Sequence, residues 1–321
     1  MSDIPFRTDL ALEAREYLTT RHAREVPGVE HEQYTDGDAR VTRVHVATDY
    51  AAAVMGKAPG HYITIEAQSL RQRNRMLQDQ VARVLAAELE RLLPADQGAS
   101  IFVVGLGNWN ATPDALGPRV ISGLLVTRHL RGYVPPELAG RLRPVCAMAP
   151  GVLGLTGIET SEIIKGVVDT IQPDVVLCVD ALAARNTGRI ITTIQIADTG
   201  IQPGSGVGNA RLGITRETVG RDVIAVGVPT VVHASTIAGD AMDLVLDQLR
   251  GEARFFSILD EMGQDRLALI NEVVCPAFGD MMVTPKEIDV HIEDVSRVVA
   301  LGLNAALHNG IGPEEMDRYL G

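Results

Sequence analysis

Two aspartates stand where buried strands are expected to end. Residues 103–108 run through a Gly-Leu-Gly-Asn segment towards Asp114, and five apolar residues at 175–179 lead directly into Asp180. Ligands of open parallel sheets bind beyond the carboxyl ends of the strands, so polar residues at these ends are the first candidates for chemistry. Two carboxylates that share one proton can hydrolyse a peptide, because the ionised one activates water while the protonated one polarises the carbonyl. By position alone, the alternative that each aspartate caps a helix or turn is the stronger one.

The elements that would position these aspartates follow an alternating order. Short apolar runs at 101–104, 175–179 and 223–226 predict parallel strands buried on both faces. Helical stretches separate them, as right-handed crossovers require. We therefore predict an α/β protein with three α/β/α layers and a mostly parallel central sheet. The predicted helices are 73–93, 117–130, 161–171, 237–249 and 296–308, with further strands at 41–47 and 61–66.

Composition limits the classes of function. The chain of 321 residues is 46% hydrophobic, which suffices for a substantial core, and its net charge of −12 argues against binding to nucleic acid. Cys146, Cys178 and Cys275 form no CxxC motif and are expected to be reduced core thiols. We find no secretion signal and no apolar run long enough to cross a membrane, so we expect a cytoplasmic protein without a membrane partner.

Four other motifs carry weaker signals. Gly105 and Gly107 open a dinucleotide fingerprint, but position 110 is Asn instead of the third glycine, so a non-catalytic nucleotide-binding module is only a minor alternative. Asp198-Thr-Gly is interpreted as a loop. Residues 203–209 could form a backbone nest for an anion or equally a flexible loop. His233 lacks a recognisable catalytic partner and is interpreted as a structural histidine.

A longer stretch points to a family. Residues 105–118, Gly-Leu-Gly-Asn-Trp-Asn-Ala-Thr-Pro-Asp-Ala-Leu-Gly-Pro, resemble the signature of germination proteases. Four more stretches agree with that family over essentially the whole chain, at 150–161, 179–185, 198–209 and 227–232. The resemblance implies an endopeptidase of phosphorylase/hydrolase-like fold, without a cofactor, in which Asp114 and Asp180 are catalytic.

The resemblance also implies how the enzyme is made, how it is activated and what it degrades. Such an enzyme is made as a zymogen, cleaves itself near its N-terminus, and initiates the degradation of small acid-soluble spore proteins at germination. It is expected in the forespore and spore core of an endospore-forming bacterium, as a homotetramer. We accordingly divide the chain into a propeptide (1–9), an N-terminal α+β part (10–99), an α/β catalytic core (100–250) and a C-terminal extension packed on the core (251–321).

The N-terminus resembles a substrate. Residues 8–13, Thr-Asp-Leu-Ala-Leu-Glu, are similar to the Thr-Glu-Phe-Ala-Ser-Glu type of sequence that these enzymes cut, so we predict self-cleavage between Asp9 and Leu10. A groove that accepts an acidic residue before the cut needs a local positive charge in this acidic protein. Arg185 is the candidate for binding that carboxylate, and a solvated surface arginine is at least as good an interpretation.

Metal dependence is the main alternative mechanism. Germination proteases resemble hydrogenase maturation endopeptidases, which hold a metal with acidic groups at the places of Asp114 and Asp180 and with a histidine. This chain has no histidine between Asp180 and His233, so the third ligand does not transfer. A metal-dependent endopeptidase that uses the same aspartates stays open beside the preferred aspartic type.

Overall fold

A computed structural model describes residues 8–22, 25–130, 132–133, 140–204, 212–249 and 281–308. The first seven residues of the predicted propeptide and most of the 203–209 segment lie outside the described residues. The helices in these ranges are α1 (Ala11–His22), α2 (Asp49–Met55), α3 (Arg75–Glu90), α4 (Leu116–Ser122), α5 (Leu153–Thr156), α6 (Thr160–Ile171), α7 (Arg216–Val219), α8 (Ala234–Leu249) and α9 (Ile288–Leu307). The strands are β1 (Val29–Asp36), β2 (Ala39–Val46), β3 (Gly60–Glu66), β4 (Ile101–Gly105), β5 (Val145–Met148), β6 (Val175–Ala184), β7 (Thr193–Ala197), β8 (Asp222–His233) and β9 (Met282–Val283).

All of these strands belong to one sheet, in the order β1-β2-β3-β7-β8-β6-β4-β5, with β9 beside β8. The strands β5, β4, β6 and β8 are parallel, whereas β1, β2, β3 and β7 join the sheet as antiparallel neighbours. The predicted α/β class is confirmed, and the parallel part of the sheet comprises these four strands. The short connection from β1 to β2 permits only antiparallel pairing, because a parallel crossover needs a dozen or more residues.

Helices cover both faces of the sheet. On one face, α3, α4 and α9 bury an apolar core that includes Val103, Leu177 and Val299. On the opposite face, α6 and α7 pack on the alternate residues of β4 and β6, and α1 and α2 pack on β2 and β3. Within the described ranges, no helix is long and apolar enough to cross a membrane. The division of the chain into four parts stays a prediction.

Several predicted elements have different bounds, and the strand predicted at 223–226 extends over Asp222–His233. The helix expected at 117–130 is only Leu116–Ser122, and the one expected at 296–308 begins already at Ile288. The prediction that β6 ends before Asp180 is wrong, because the strand continues to Ala184 and pairs with β8 throughout. Asp180 lies inside the strand with its side chain at a cavity, because pairing with β8 extends the strand past this charged residue.

Candidate active site

The carboxyl ends of β4 and β6 form a switch point in the sheet. After β4 the chain moves to β5 on one side, and it returns to β6 on the other. Such a reversal opens a crevice at the strand ends where ligands bind. The last residue of β4, Gly105, pairs with Val179, while β6 continues to Ala184. The edge of β6 that faces β4 is therefore left without a strand neighbour beyond Val179.

Asp114 is held over this crevice by a tight connection. It ends a short 3-10 turn after β4, and its Oδ2 accepts a hydrogen bond from the backbone N–H of Asn108 at 2.7 Å. Gly107 has φ +112°, and a Cβ atom there would lie 2.0 Å from the backbone oxygen of Asp114. Close backbone packing thus fixes the position of the carboxylate. The hydrogen bond from the backbone N–H of Asn108 is the kind of contact that the capping interpretation predicts.

Asp180 lies inside β6 and is 7% exposed. In the sheet register it is level with Gly227 of β8, which in turn is level with Gln195 of β7. Burial raises the pKa of Asp180 well above its ordinary value, and the negative charges of Asp114 and Asp9 raise it further. A carboxyl group that keeps its proton beside a second carboxylate is the arrangement that proton-sharing hydrolysis needs.

Both aspartates line a cavity of about 630 Å³. Its wall also contains Thr8, Asp9, Lys57 and Gln195. Among the described residues of the wall, Lys57 is the only basic one. The cavity therefore brings together two acidic residues that lie 66 positions apart in the sequence (180 minus 114) and the N-terminal segment that was predicted to be cut.

The N-terminal segment occupies the open edge of β6. The backbone N–H of Asp9 donates to the carbonyl of Ala183 at 3.1 Å, and the N–H of Ala183 donates to Oδ2 of Asp9 at 2.9 Å. Leu10 is fully buried in the core behind the cavity wall. Glu13 accepts hydrogen bonds from the backbone N–H groups of Arg185 and Asn186. The predicted cleavage site is thus bound at the open edge of β6 by one backbone hydrogen bond and by the side chain of Asp9.

Arg185, the candidate for binding an acidic substrate residue, does not line this cavity. Its guanidinium donates to Asp240 at 2.7 Å, and it is absent from the described wall of the cavity. The suggestion that Arg185 binds an acidic substrate residue stays untested. In this structure the carboxylate of Asp9 is bound by a backbone N–H group and lies close enough to Lys57 to influence its pKa.

Of the other motifs, Asp198-Thr-Gly and the start of the 203–209 segment contribute Thr199, Gly200, Pro203 and Gly204 to the cavity wall. Asp198 follows β7 in a bend, as predicted, and accepts a hydrogen bond from the backbone of His61 at 2.8 Å. His233 is buried at the end of β8, and it does not line the cavity. Among the described residues, no group of three or more His, Cys, Asp or Glu side chains is arranged to hold a metal.

Sequence reasoning missed Lys57 and Gln195. Lys57 follows the left-handed Gly56 that ends α2, and Gln195 is a single polar residue in the buried strand β7. No motif includes either residue. The one available signal was the unusual polarity of Gln195 within the run Thr-Ile-Gln-Ile-Ala at 193–197, since a buried polar side chain needs a partner.

Replacing Asp180 with asparagine is expected to stabilise the fold at neutral pH by about 0.5 to 2 kcal/mol, as relief of active-site strain commonly does. The pKa of Asp180 is raised in the folded state, so its ionisation disfavours folding once the pH exceeds the unfolded-state pKa. That cost grows as the pH rises through the folded-state pKa and is absent at low pH. Melting temperatures at about pH 4 and pH 7, on proteins checked by mass for intact N-termini, test this expectation. An equal gain at both pH values would contradict it.

Paired aspartates facing a bound peptide segment are typical of a peptidase, and comparison with known proteins gives the same class. The family model for the germination protease matches residues 8–256 and 250–320. The chain belongs to the germination protease family. It is 46% identical over 319 residues to the germination protease of Clostridium tetani, covering 98% of this chain and 99% of that one.

Other relatives show the same breadth of similarity. The germination protease of Clostridium perfringens is 48% identical over 320 residues, with 98% of each chain covered. That of Bacillus subtilis is 42% identical over 354 aligned residues, covering 98% of this chain and 96% of the relative. The match over nearly full length on both sides supports the same overall enzyme class, a hydrolase of peptide bonds.

Proposed function

We propose that this protein is a zymogen that cuts its own Asp9–Leu10 bond and then initiates the degradation of small acid-soluble spore proteins, with Asp114 and Asp180 as catalytic residues. The observation that carries the proposal is that Asp9 lies in the same cavity as both carboxylates, on the open edge of β6. Because the segment around Asp9 already lies beside the two carboxylates, the site can cleave its own chain there.

The chemistry follows from the unequal environments of the two carboxylates. Asp180 is buried, and that burial and its acidic neighbours raise its pKa well above its ordinary value, which favours its protonated form. Asp114, bound through Asn108, acts as the ionised partner that takes a proton from water. The water oxygen attacks the carbonyl carbon of Asp9, and the retained proton passes to the peptide group. In this scheme the two carboxylates carry out the proton transfers of the hydrolysis.

The same cavity serves substrates once the propeptide is gone. Removal of residues 1–9 frees the backbone of Ala183 at the edge of β6, to which Asp9 is bound in the precursor. An extended substrate segment with an acidic residue before the cut can make the same two hydrogen bonds. In this proposal α1 stays attached after cleavage, because Leu10 and Glu13 are buried. The proposal includes action in the forespore and spore core, as a homotetramer.

Time-resolved intact mass of the purified chain tests the proposal. We expect loss of residues 1–9 and nothing else, at a first-order rate that stays constant over a hundredfold range of protein concentration, because the bond lies in the chain's own site. The processed protein is then expected to cut a small acid-soluble spore protein after an acidic residue. Cleavage at another bond, or a rate proportional to concentration, would contradict self-cleavage within one chain. Inhibition by a chelator, reversed by added metal, would instead support the metal-dependent alternative.

A further inference from the structure

Two side chains donate hydrogen bonds to the same backbone oxygen at the cleavage site. The carbonyl oxygen of Asp9 accepts from Nζ of Lys57 at 2.9 Å and from Nε2 of Gln195 at 3.0 Å. This carbonyl belongs to the Asp9–Leu10 bond. Two donors at about 2.7–3.1 Å from an oxygen that gains negative charge are the arrangement of an oxyanion hole.

The orientation of Gln195 is determined by its surroundings. Its Oε1 accepts the backbone N–H of Ala11 at 2.7 Å, so its amide nitrogen must point to Asp9. One amide therefore binds the chain on both sides of Leu10. Gln195 is 8% exposed and lies in the middle of the sheet, which leaves it little freedom to move.

Lys57 is also fixed by its surroundings. Its Nζ donates to the carbonyl of Thr8 at 3.0 Å in addition to that of Asp9. Gly56, with φ +62°, ends α2 and directs the chain so that Lys57 reaches the cavity. Burial lowers the pKa of Lys57, and the charges of Asp9 and Glu13 oppose that effect. A poorly hydrated cation interacts strongly with a neighbouring negative charge.

We propose that Lys57 and Gln195 form the oxyanion hole of this protease and stabilise the tetrahedral intermediate. The inference rests on the proposed cleavage of Asp9–Leu10. Water adds to the carbonyl carbon, its proton goes to Asp114, and the carbonyl oxygen becomes negative between the two donors. The C–N bond to Leu10 then breaks, and the proton of Asp180 goes to the leaving nitrogen. Because Lys57 and Gln195 stabilise the negative oxygen, Asp114 and Asp180 only need to transfer protons, from the water and to the leaving nitrogen.

Single-turnover self-cleavage of the full chain tests this inference. Lys57→Met and Gln195→Leu are each expected to slow it by about 10²- to 10³-fold, the usual effect of losing one oxyanion donor. Lys57→Arg keeps a charged donor and is expected to retain more of the rate than Lys57→Met. Lys165→Met, at a partly exposed position of α6, and Gln33→Leu, at an exposed position of β1, make the same chemical changes and should leave the rate unchanged.

Hydrogen exchange separates this inference from a merely structural contribution. The backbone N–H of Asp9 should stay protected in Lys57→Met and Gln195→Leu, because Ala183 still binds the segment. Cleavage within threefold of wild type in both variants would overturn the oxyanion hole, and so would slow cleavage with lost protection. If Asp114→Asn also cleaves normally, or the wild type does not cut Asp9–Leu10, the proposed function fails instead.

Discussion

Replacing either Asp114 or Asp180 with asparagine is expected to reduce self-cleavage by at least about 10³-fold, the upper range for loss of a general acid or base. Asparagine has nearly the same shape as aspartate, so the cavity should remain intact. It can neither take a proton from the attacking water, as proposed for Asp114, nor donate an acidic proton, as proposed for Asp180, whose pKa is raised by burial. Intact mass over time gives the rate, and the fraction that retains residues 1–9 is the signal.

A surface aspartate provides the control for these variants. Asp169→Asn changes an exposed residue of α6 that pairs with Lys165, and it should cleave like the wild type. If Asp114→Asn and Asp180→Asn both cleave at the wild-type rate, the carboxylate pair is not the catalyst. Loss of activity in only one of them would restrict the catalytic assignment to that residue.

Gly107→Ala is expected to lower the self-cleavage rate by about 10²-fold, as a misplacement of about 1 Å does to catalytic groups. The added methyl group would lie 2.0 Å from the backbone oxygen of Asp114, at a φ of +112° that residues with a side chain rarely adopt. The connection after β4 must shift, and the carboxylate of Asp114 shifts with it. The same mass assay measures the rate, and thermal unfolding checks that the fold persists.

Gly220→Ala separates displacement from backbone strain. Gly220 also has a positive φ, +74°, but a Cβ atom there would have nothing within 4 Å. It should lose about 1 kcal/mol of stability from strain alone and cleave at the wild-type rate. Equal losses of activity in Gly107→Ala and Gly220→Ala would contradict the view that Gly107 positions Asp114.

Much of the catalytic core could be predicted from the sequence. The apolar runs that became β4, β6 and β8 are continuous because these strands are buried on both faces of the sheet. That pattern identified the class of fold and made Asp114 and Asp180 candidates for chemistry, and the family resemblance then favoured a catalytic role for them over capping. The bounds of α4 and α9 were less predictable, since helix ends depend on packing as well as on periodicity.

The pairing of strands in the antiparallel half of the sheet could not be predicted from local sequence patterns. β3 pairs with β7 across more than a hundred residues of intervening chain, and nothing local in either strand specifies that partner. β6 continues past Asp180 because β8 provides hydrogen-bond partners as far as Val232. Register between distant strands depends on the whole core, so it becomes apparent only in the folded chain.

The sequence by itself was enough to predict the family, the alternation of strands and helices, and Asp114 and Asp180 as candidate catalytic residues, because each of these predictions depends on local patterns and motifs. Only the tertiary structure decided that Asp9 lies in the cavity of Asp114 and Asp180, and that Lys57 and Gln195 meet at its carbonyl oxygen. These residues come from the segment before α1, the connection after α2, the turn after β4, and the strands β6 and β7. Their meeting results from sheet register and helix packing, which no single segment encodes.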